Sequence, residues 1–239
     1  MDNVEILVEK IRRGEIDINN QELFFSTLIK GLILKLNEEI SIRNIKVPHY
    51  ILHTGSDALY LENKGYDQSI EPYSISNENY TYTTIPKCIV TPGSIDLMAD
   101  QLTNPYSRGH LQYEDEEMIY TLSGEFRRFP VKLGIELKYF TDTYRDMLEL
   151  VQQILTKLAF IKTFNITYLG QMIQCSYKIP DSLQDEHLTE LDGSTQEDKS
   201  HTLSISLEIE TNLPVFSAPT ITPMNHLISD VTTNFKFTE

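Results

Sequence analysis

Polar and apolar residues alternate along the stretch from Val131 to Glu210 with enough regularity to predict its local structure. Val131, Leu133, Ile135, Leu137 and Tyr139 take one parity, and Lys132, Gly134, Glu136 and Lys138 take the other. Successive side chains of a strand point to opposite faces, so this segment predicts a strand buried on one side. Phe164, Ile166 and Tyr168 open a second run, and Ile173, Cys175, Tyr177 and Ile179 alternate with Met172, Gln174, Ser176 and Lys178 in a third. Gly170 between them predicts a hairpin turn. Leu203, Ile205, Leu207 and Ile209 against Ser204, Ser206, Glu208 and Glu210 complete the set. A sheet that is apolar on one side needs a cover on that side.

The predicted cover is a helix after Phe140. Tyr144, Met147, Leu148, Val151, Leu155, Leu158 and Ala159 recur at helical spacing. Thr143 with Asp146 resembles a capping box in which Asp replaces the usual Glu. No Gly or Pro interrupts Thr141 to Thr163, which admits about five turns, roughly 27 Å. The fold class that results is α+β, a mostly antiparallel sheet with one long helix packed on a face.

The flanks are less regular. Val4 to Arg13 predicts a short helix ended by Gly14. A second helix is expected from Asn19 or Asn20, with Leu23, Phe24, Leu28 and Leu32 as its apolar stripe. Gly31 inside it costs about 1 kcal/mol relative to Ala and reads equally as close packing against another element or subunit or as a tolerated glycine. Ile40 and Ile42 fall out of step with Ile45 and Val47, as a turn or bulge at Asn44 would produce. Gly55 to Thr84 is polar, rich in tyrosine and without clear period, and predicts long loops or an insertion. Pro86 to Leu97 predicts strand broken by a turn at Pro92 and Gly93, and Met118 to Phe129 a hairpin turning at Ser123 and Gly124. Pro180 to Ser200 predicts an acidic loop. From Pro214 onward, Pro219 and Pro223 predict an extended arm that cannot join a central sheet. The expected organisation is an N-terminal helical arm over 1–39, an α+β core over 40–213 with a loop insertion near 55–84, and an extended C-terminal arm over 214–239.

Charge narrows the function. The 239 residues carry 20 Lys and Arg against 35 Asp and Glu, a formal charge of −15. A broad basic surface for gripping nucleic acid is excluded, whereas a surface past which DNA slides without sticking is compatible. Cys88 and Cys175 have no ligand spacing and predict buried, reduced thiols. The N-terminus lacks the pattern of a secretory signal, and no apolar run is long enough to predict a membrane span.

Candidate chemistry is sparse. His49 and His53 have the spacing of one helix face, but Pro48 argues against a helix there. His110 with Glu114 and Glu117 lacks a third nitrogen or sulfur donor for zinc. Glu114, Asp115, Glu116 and Glu117 form the densest charge run. It has no central Gly of a calcium loop and reads as a solvated loop or strand end, with an acidic channel or interface rim as the functional alternative. Ser123 and Ser194 sit beside glycine without a nucleophile elbow, and both phosphate-binding glycine fingerprints are missing from the sequence. Arg127 and Arg128, flanked by Phe126 and Phe129, are expected to pair with acids of a neighbouring strand or subunit. No catalytic, cofactor-binding or metal residue is nominated, and the chain reads as a non-enzyme.

Four segments carry a resemblance: P-K-C-I-V at Pro86–Val90, D-Q-L-T-N-P-Y-S-R-G at Asp100–Gly109, F-R-R-F-P-V-K-L-G-I-E-L-K-Y-F at Phe126–Phe140, and D-M-L-E-L-V-Q-Q-I-L at Asp146–Leu155. Together they resemble the tail completion and sheath stabiliser proteins of T-even phages, with similar blocks in crAss-like phages. Pro130 and Lys132 match a P-x-K-x-x-x-E-L strand of that family, and Gln153, Ile154 and Leu155 match its helix end. The resemblance spans about residues 86–212. It implies a virion protein that forms a homo-oligomeric ring, on the order of six or twelve copies, in the neck or tail. Neighbouring phage neck and tail proteins are then its partners, DNA meets it only in transit through the channel, and no membrane or cofactor is involved. The alternative is a binding module whose tyrosine-rich segment 55–84 holds a protein or glycan.

Overall fold

The computed structural model describes residues 3–51, 85–102, 106–115, 118–180, 184–185 and 201–224. The expected loop insertion near 55–84 therefore lies outside the described residues, as does most of Pro180 to Ser200.

Two long strands organise the molecule. One, β6 (Met118–Thr141), pairs antiparallel with β10 (His201–Phe216) in a single register from His201 opposite Thr141 to Phe216 opposite Phe126. On the other side of β6 lies β4 (Lys87–Leu97), which is joined in parallel by the short β3 (His49–Ile51). Beyond β10 come β8 (Gln171–Lys178) and β7 (Thr163–Tyr168), and β5 (Ser107–Asp115) forms a hairpin with the start of β6. Two-residue pieces, β9 (Gln184–Asp185) and β11 (Thr222–Pro223), add to β10 and β6. Apart from the β3–β4 pair, every ladder among the described residues is antiparallel.

The ribbon of β6 and β10 changes its buried face partway along. From Val131 to Tyr139 the odd positions of β6 are buried, and so are Leu203, Ile205, Leu207, Ile209 and Thr211 of β10. Further along, Leu122 and Phe126 of β6 and Phe216 of β10 are buried, all on even positions. No register shift intervenes, so parity alone dictates that the opposite face of the same ribbon carries the second core. We call these the helical half and the hairpin half.

Helices cover the first. The longer one, α2 (Phe24–Glu39), buries Phe24, Leu28, Ile29, Leu32, Ile33 and Leu36. Gly31 is the point of closest approach to β7, since a Cβ there would stand 2.5 Å from the Ile166 methyl and 3.3 Å from the Phe164 ring. The expected close packing at Gly31 is thus against this sheet. Leu23, expected in the stripe, is instead the exposed residue before the helix. The expected cover helix is α3 (Tyr144–Gln153), which runs on into a wider π turn at Ile154–Leu158. Its start is as expected: the Thr143 hydroxyl accepts from the Asp146 N–H at 3.2 Å. Its buried stripe is Met147, Leu150, Ile154 and Leu158, while Tyr144, Leu148 and Leu155 face outward.

Between the helices, β1 (Ser41–Ile42) and β2 (Ile45–Lys46) form a tight hairpin. Its two turn residues, Arg43 and Asn44, have φ of 51° and 63°, which is the primed-turn geometry and the reason the parity slips at Asn44. Gln153 of α3 pairs with both backbone groups of Ser41, accepting from its N–H at 3.0 Å and donating to its carbonyl.

The hairpin half is covered by pieces from both chain ends. These are α1 (Asn3–Arg12), a 3-10 turn at Ile18–Asn20, and a second at Ala218–Thr220. Gly14, with φ of 75°, ends α1 as expected, and the Glu15 N–H closes back on the Lys10 carbonyl at 3.0 Å. Asn19 donates to the Phe216 carbonyl at 3.0 Å and accepts from its N–H at 2.8 Å, which places a side-chain amide where a strand neighbour would be.

Several expectations are corrected here. The N-terminal helices are no arm, because Ile11, Ile18, Leu28 and Leu32 are core. Pro92 and Gly93 mark a register shift within one strand. Ser123 and Gly124 lie inside β6, and the hairpin instead pairs β5 with β6 from Ser107 opposite Phe126 to Asp115 opposite Met118. Gly124 is there because Ile221 presses on it, so that any Cβ would collide with the Ile221 side chain. Pro214 sits in β10 itself. Since β8 pairs β10 only at Glu208–Glu210, β10 has one neighbour at that level, where a missing N–H is tolerated.

Candidate interaction surfaces

The face of the helical half opposite its helices is polar and charged. Lys132 and Glu208 pair across the β6–β10 ladder at 2.6 Å, and Lys178 pairs with Glu210. The second contact raises the Lys178 pKa, chiefly through the hydrogen bond to Glu210. Such exposed pairs are screened by solvent and add little to stability, and their opposite charges offset one another on this face. Two shallow depressions open on the sheet, one of about 240 Å³ between Met98, Gln101, Gln174 and Asn212, the other of about 280 Å³ beside Arg128, Met172 and Pro214. Cys175 lines the first, but its thiol is buried against the Thr211 hydroxyl at 3.2 Å and burial raises its pKa, so it is a packed neutral thiol.

The expected site residues fall at the far end of the sheet. Glu114 is exposed on β5 opposite Ile119, and Asp115 pairs with Met118 as the last residue of that strand. Glu116 and Glu117 lie outside the described residues. His110 and Glu114 are four residues apart on one strand, about 13 Å, which is too far to share a metal. Among the described residues no cluster of His, Cys, Asp and Glu has metal-binding geometry. Arg127 and Arg128 stand opposite Val215 and Pro214, with no acid across the ladder. The Arg127 guanidinium lies 4.0 Å from the centre of the Tyr106 ring, with its Nε buried and without a hydrogen-bond partner. Arg128 is exposed, 5.7 Å from the Phe126 ring.

One titratable cluster is buried, and the sequence did not reveal it. His49 is fully enclosed, with Nδ1 2.6 Å from Asn37 Oδ1 and Nε2 3.1 Å from the Tyr139 hydroxyl. Tyr139 in turn bonds Cys88, and burial lifts the pKa of both. Burial pushes His49 down to about 3, so the imidazole is neutral at pH 7. A chain of neutral donors and acceptors inside the helical half orients side chains and holds β3 to α2 and β6. It has no access for a substrate. Its sequence signal, His49 next to a proline and between apolar residues, is indistinguishable from that of a loop histidine.

A family model for the T4-like virus Myoviridae tail sheath stabiliser matches residues 18–239. The chain belongs to that family. No curated protein matches the chain. The family match reaches beyond the residues that carried the resemblance and takes in α2 and the end of the chain, leaving residues 1–17, with α1, outside. Membership makes this a structural protein of the phage tail, located in the virion and in contact with neighbouring tail proteins. Among the described residues no helix is long and apolar enough to cross a membrane.

Proposed function

We propose that this sheath-stabiliser family member closes the head-proximal end of the tail as a homo-oligomeric ring, on the order of six or twelve copies, with a central channel for DNA. The observation that carries the reading is the family match over residues 18–239. Two features of the chain support it. One side of the helical half is covered by its own helices and the other is an open polar sheet, a layout suited to a wall with unlike inner and outer surfaces. The formal charge of −15 suits a passage that DNA crosses without adhering. Within this reading Glu114, Asp115, Glu116 and Glu117 form an acidic channel or interface rim, and Arg127 and Arg128 reach acids of the adjacent copy.

Negative-stain electron microscopy with mass photometry at several salt concentrations tests the proposal. Rings of one copy number with an open centre are expected. A chain that stays monomeric at high concentration and is missing from purified virions overturns it.

A further inference from the structure

Among the described residues the outer edge of β7 has no neighbour. The sheet ends there, with β8 on the other side of the strand. Leu169 and Gly170, with φ of 49° and 73°, form a two-residue primed turn, so Tyr168 and Gln171 exchange both of their backbone hydrogen bonds. Alternation then turns the backbone groups of Ile166 and Phe164 to β8 and those of Thr163, Asn165 and Thr167 outward. The Tyr177 N–H on the Lys162 carbonyl, at 2.9 Å, keeps the same alternation at the start of the strand. The outward N–H and C=O groups stand along one line, and no described group pairs with them.

Free edges are usually blunted by lysine, proline or a bulge. The sequence of β7, T-F-N-I-T-Y, has no charge and no proline, and its register with β8 runs unbroken. Its border is apolar instead. Gly31 rests on Phe164 and Ile166, and at about 100° per residue Thr27 and Leu34 come next around α2 on the side away from the buried stripe. Leu34 is 45 % exposed, Ile161 in the turn before β7 is 51 %, and Leu23, next to Phe24 on the Tyr168 ring, is 75 %. A strand added here has one parity beside Thr163, Asn165 and Thr167, which is polar, and the other under this apolar overhang.

The chain carries a strand of that pattern outside the described residues. The run V-T-T-N-F-K-F-T at 231–238 alternates, with Val231, Phe235 and Phe237 on one parity and Asn234 and Lys236 on the other, and it is rich in β-branched and aromatic residues. The family match extends to Glu239, so the run belongs to the part of the chain that the family shares. Where it departs from the body is set by β11, which is antiparallel to β6, with Thr222 opposite Ser123, Pro223 opposite Leu122 and the Met224 N–H on the Thr121 carbonyl. The chain therefore leaves towards the β5–β6 tip at Met118, away from the helical half on whose edge β7 lies. To reach its own β7 it has to reverse, whereas to reach another molecule it has only to continue. Residues 225–230 span roughly 20 Å when extended.

We infer that segment 231–238 of one copy adds as a strand to the β7 edge of a second copy, with Phe235 and Phe237 turned to the α2 side. Main-chain hydrogen bonds supply the pairing, and the two rings select the site. A terminal strand and a sheet edge are unlike surfaces of one chain, so the contact is heterologous and generates a ring when its rotation closes. The inference rests on the ring proposed above and names its junction.

Full-length Phe235→Asp and Asn165→Pro variants test the two sides of the junction by mass photometry, with thermal melts of the diluted monomers. Proline at 165 removes an outward N–H and none of the bonds to β8, a position that an edge strand tolerates. Each variant is expected to associate at least about tenfold more weakly than wild type and, as a monomer, to melt where the wild-type monomer does. Mixed together, they are expected to form heterodimers and nothing larger, because one intact tail meets one intact edge. Wild-type rings with both variants assembling normally overturn this junction and leave the ring standing. Normal assembly of Asn165→Pro alone also overturns it, since the tail then docks on another surface. A Phe235→Asp monomer that melts below the wild-type monomer overturns the exchange, because the tail then lies on its own copy. A wild-type chain that neither associates nor cross-links between copies in virions overturns both readings.

Discussion

The helical and hairpin halves are built on the same two strands, in the same register, and bury opposite faces. In the helical half the cover is two elements with wide apolar stripes, α2 and α3. In the hairpin half it is one short helix, α1, and two 3-10 turns from both ends of the chain, in a region where Gly109 and Gly124 admit no Cβ because it would collide with the side chains of Phe126 and Ile221. Each half has one amide side chain standing in for a strand: Gln153 on Ser41 in the first, Asn19 on Phe216 in the second. The difference lies in how the cover arrives. Asn19 and Phe216 are 197 residues apart, so the hairpin half closes only when distant segments meet. Such regions are expected to open at lower free energy than a core of long apolar side chains.

Acid should break the comparison hardest, because it acts on one half. His49 lies in the helical half with its pKa lowered to about 3 by burial. The unfolded chain takes up the proton near pH 6.5 and the folded one only near 3. Stability from this group is therefore full above pH 6.5 and is lost as pH falls towards 3, by on the order of 4 kcal/mol. Urea titrations from about pH 7 to 4 should show that slope, and His49→Gln should flatten it. Equal slopes for both proteins would show that His49 does not govern the acid limb.

A core truncation in each half gives the next largest effect. Leu32 and Leu122 are both fully buried. Leu32→Ala is expected to cost about 3–4 kcal/mol in global stability, read as a lower urea midpoint at constant slope. Leu122→Ala is expected to cost about 2 kcal/mol globally. It should also speed amide exchange around Leu111 and Phe216 more than around Leu137 and Ile205, which face each other across the ladder of the helical half. If the two substitutions act alike on both sets of amides, the halves form one cooperative unit.

Asn19→Ala sharpens the contrast at smaller cost. Removing the amide leaves the Phe216 N–H and carbonyl without their partner, about 2 kcal/mol. Exchange at the Phe216 amide should rise by an order of magnitude or more, with the His49 cluster unaffected. Protection at Phe216 equal to wild type would mean that water replaces the amide without loss.

Legibility in the sequence follows the same division. The strands of the helical half could be read from parity, since one face is apolar over the whole run from Val131 to Tyr139. The turn at Leu169 and Gly170 could be read from its glycine. The hairpin half could not be read, because Gly124 signals a turn by composition and is a strand residue by contact with Ile221, far along the chain. Pro214 misled for a related reason, as the missing strand neighbour that permits it depends on where β8 stops. On α3 the period gave the helix and its Thr143 start, but an apolar arc of about 160° offers two stripes, and the expected stripe mixes them, with the outward Tyr144, Leu148 and Leu155 beside the buried Met147 and Leu158 and without Leu150 and Ile154. The surfaces were harder still: Arg127 meets the Tyr106 ring instead of an acid, and the buried His49 cluster joins four elements that no local pattern connects.

The smallest effect expected is at the start of α3, and it bears on the helical half alone. Thr143 accepts from the Asp146 N–H at 3.2 Å, but the return bond of a capping box is missing because Asp146 is committed to Arg43. The cap is one-sided, and Asp146 still favours the helix start through its charge beside the free N–H groups. Thr143→Ala should therefore cost about 1 kcal/mol, and Thr143→Ser should restore most of it, since the accepting hydroxyl is kept. Thermal melts of the two variants check this. Equal losses for Ala and Ser would assign the effect to the packing of the Thr143 methyl. The exchange rate of Phe216, in the other half, should stay at its wild-type value in both.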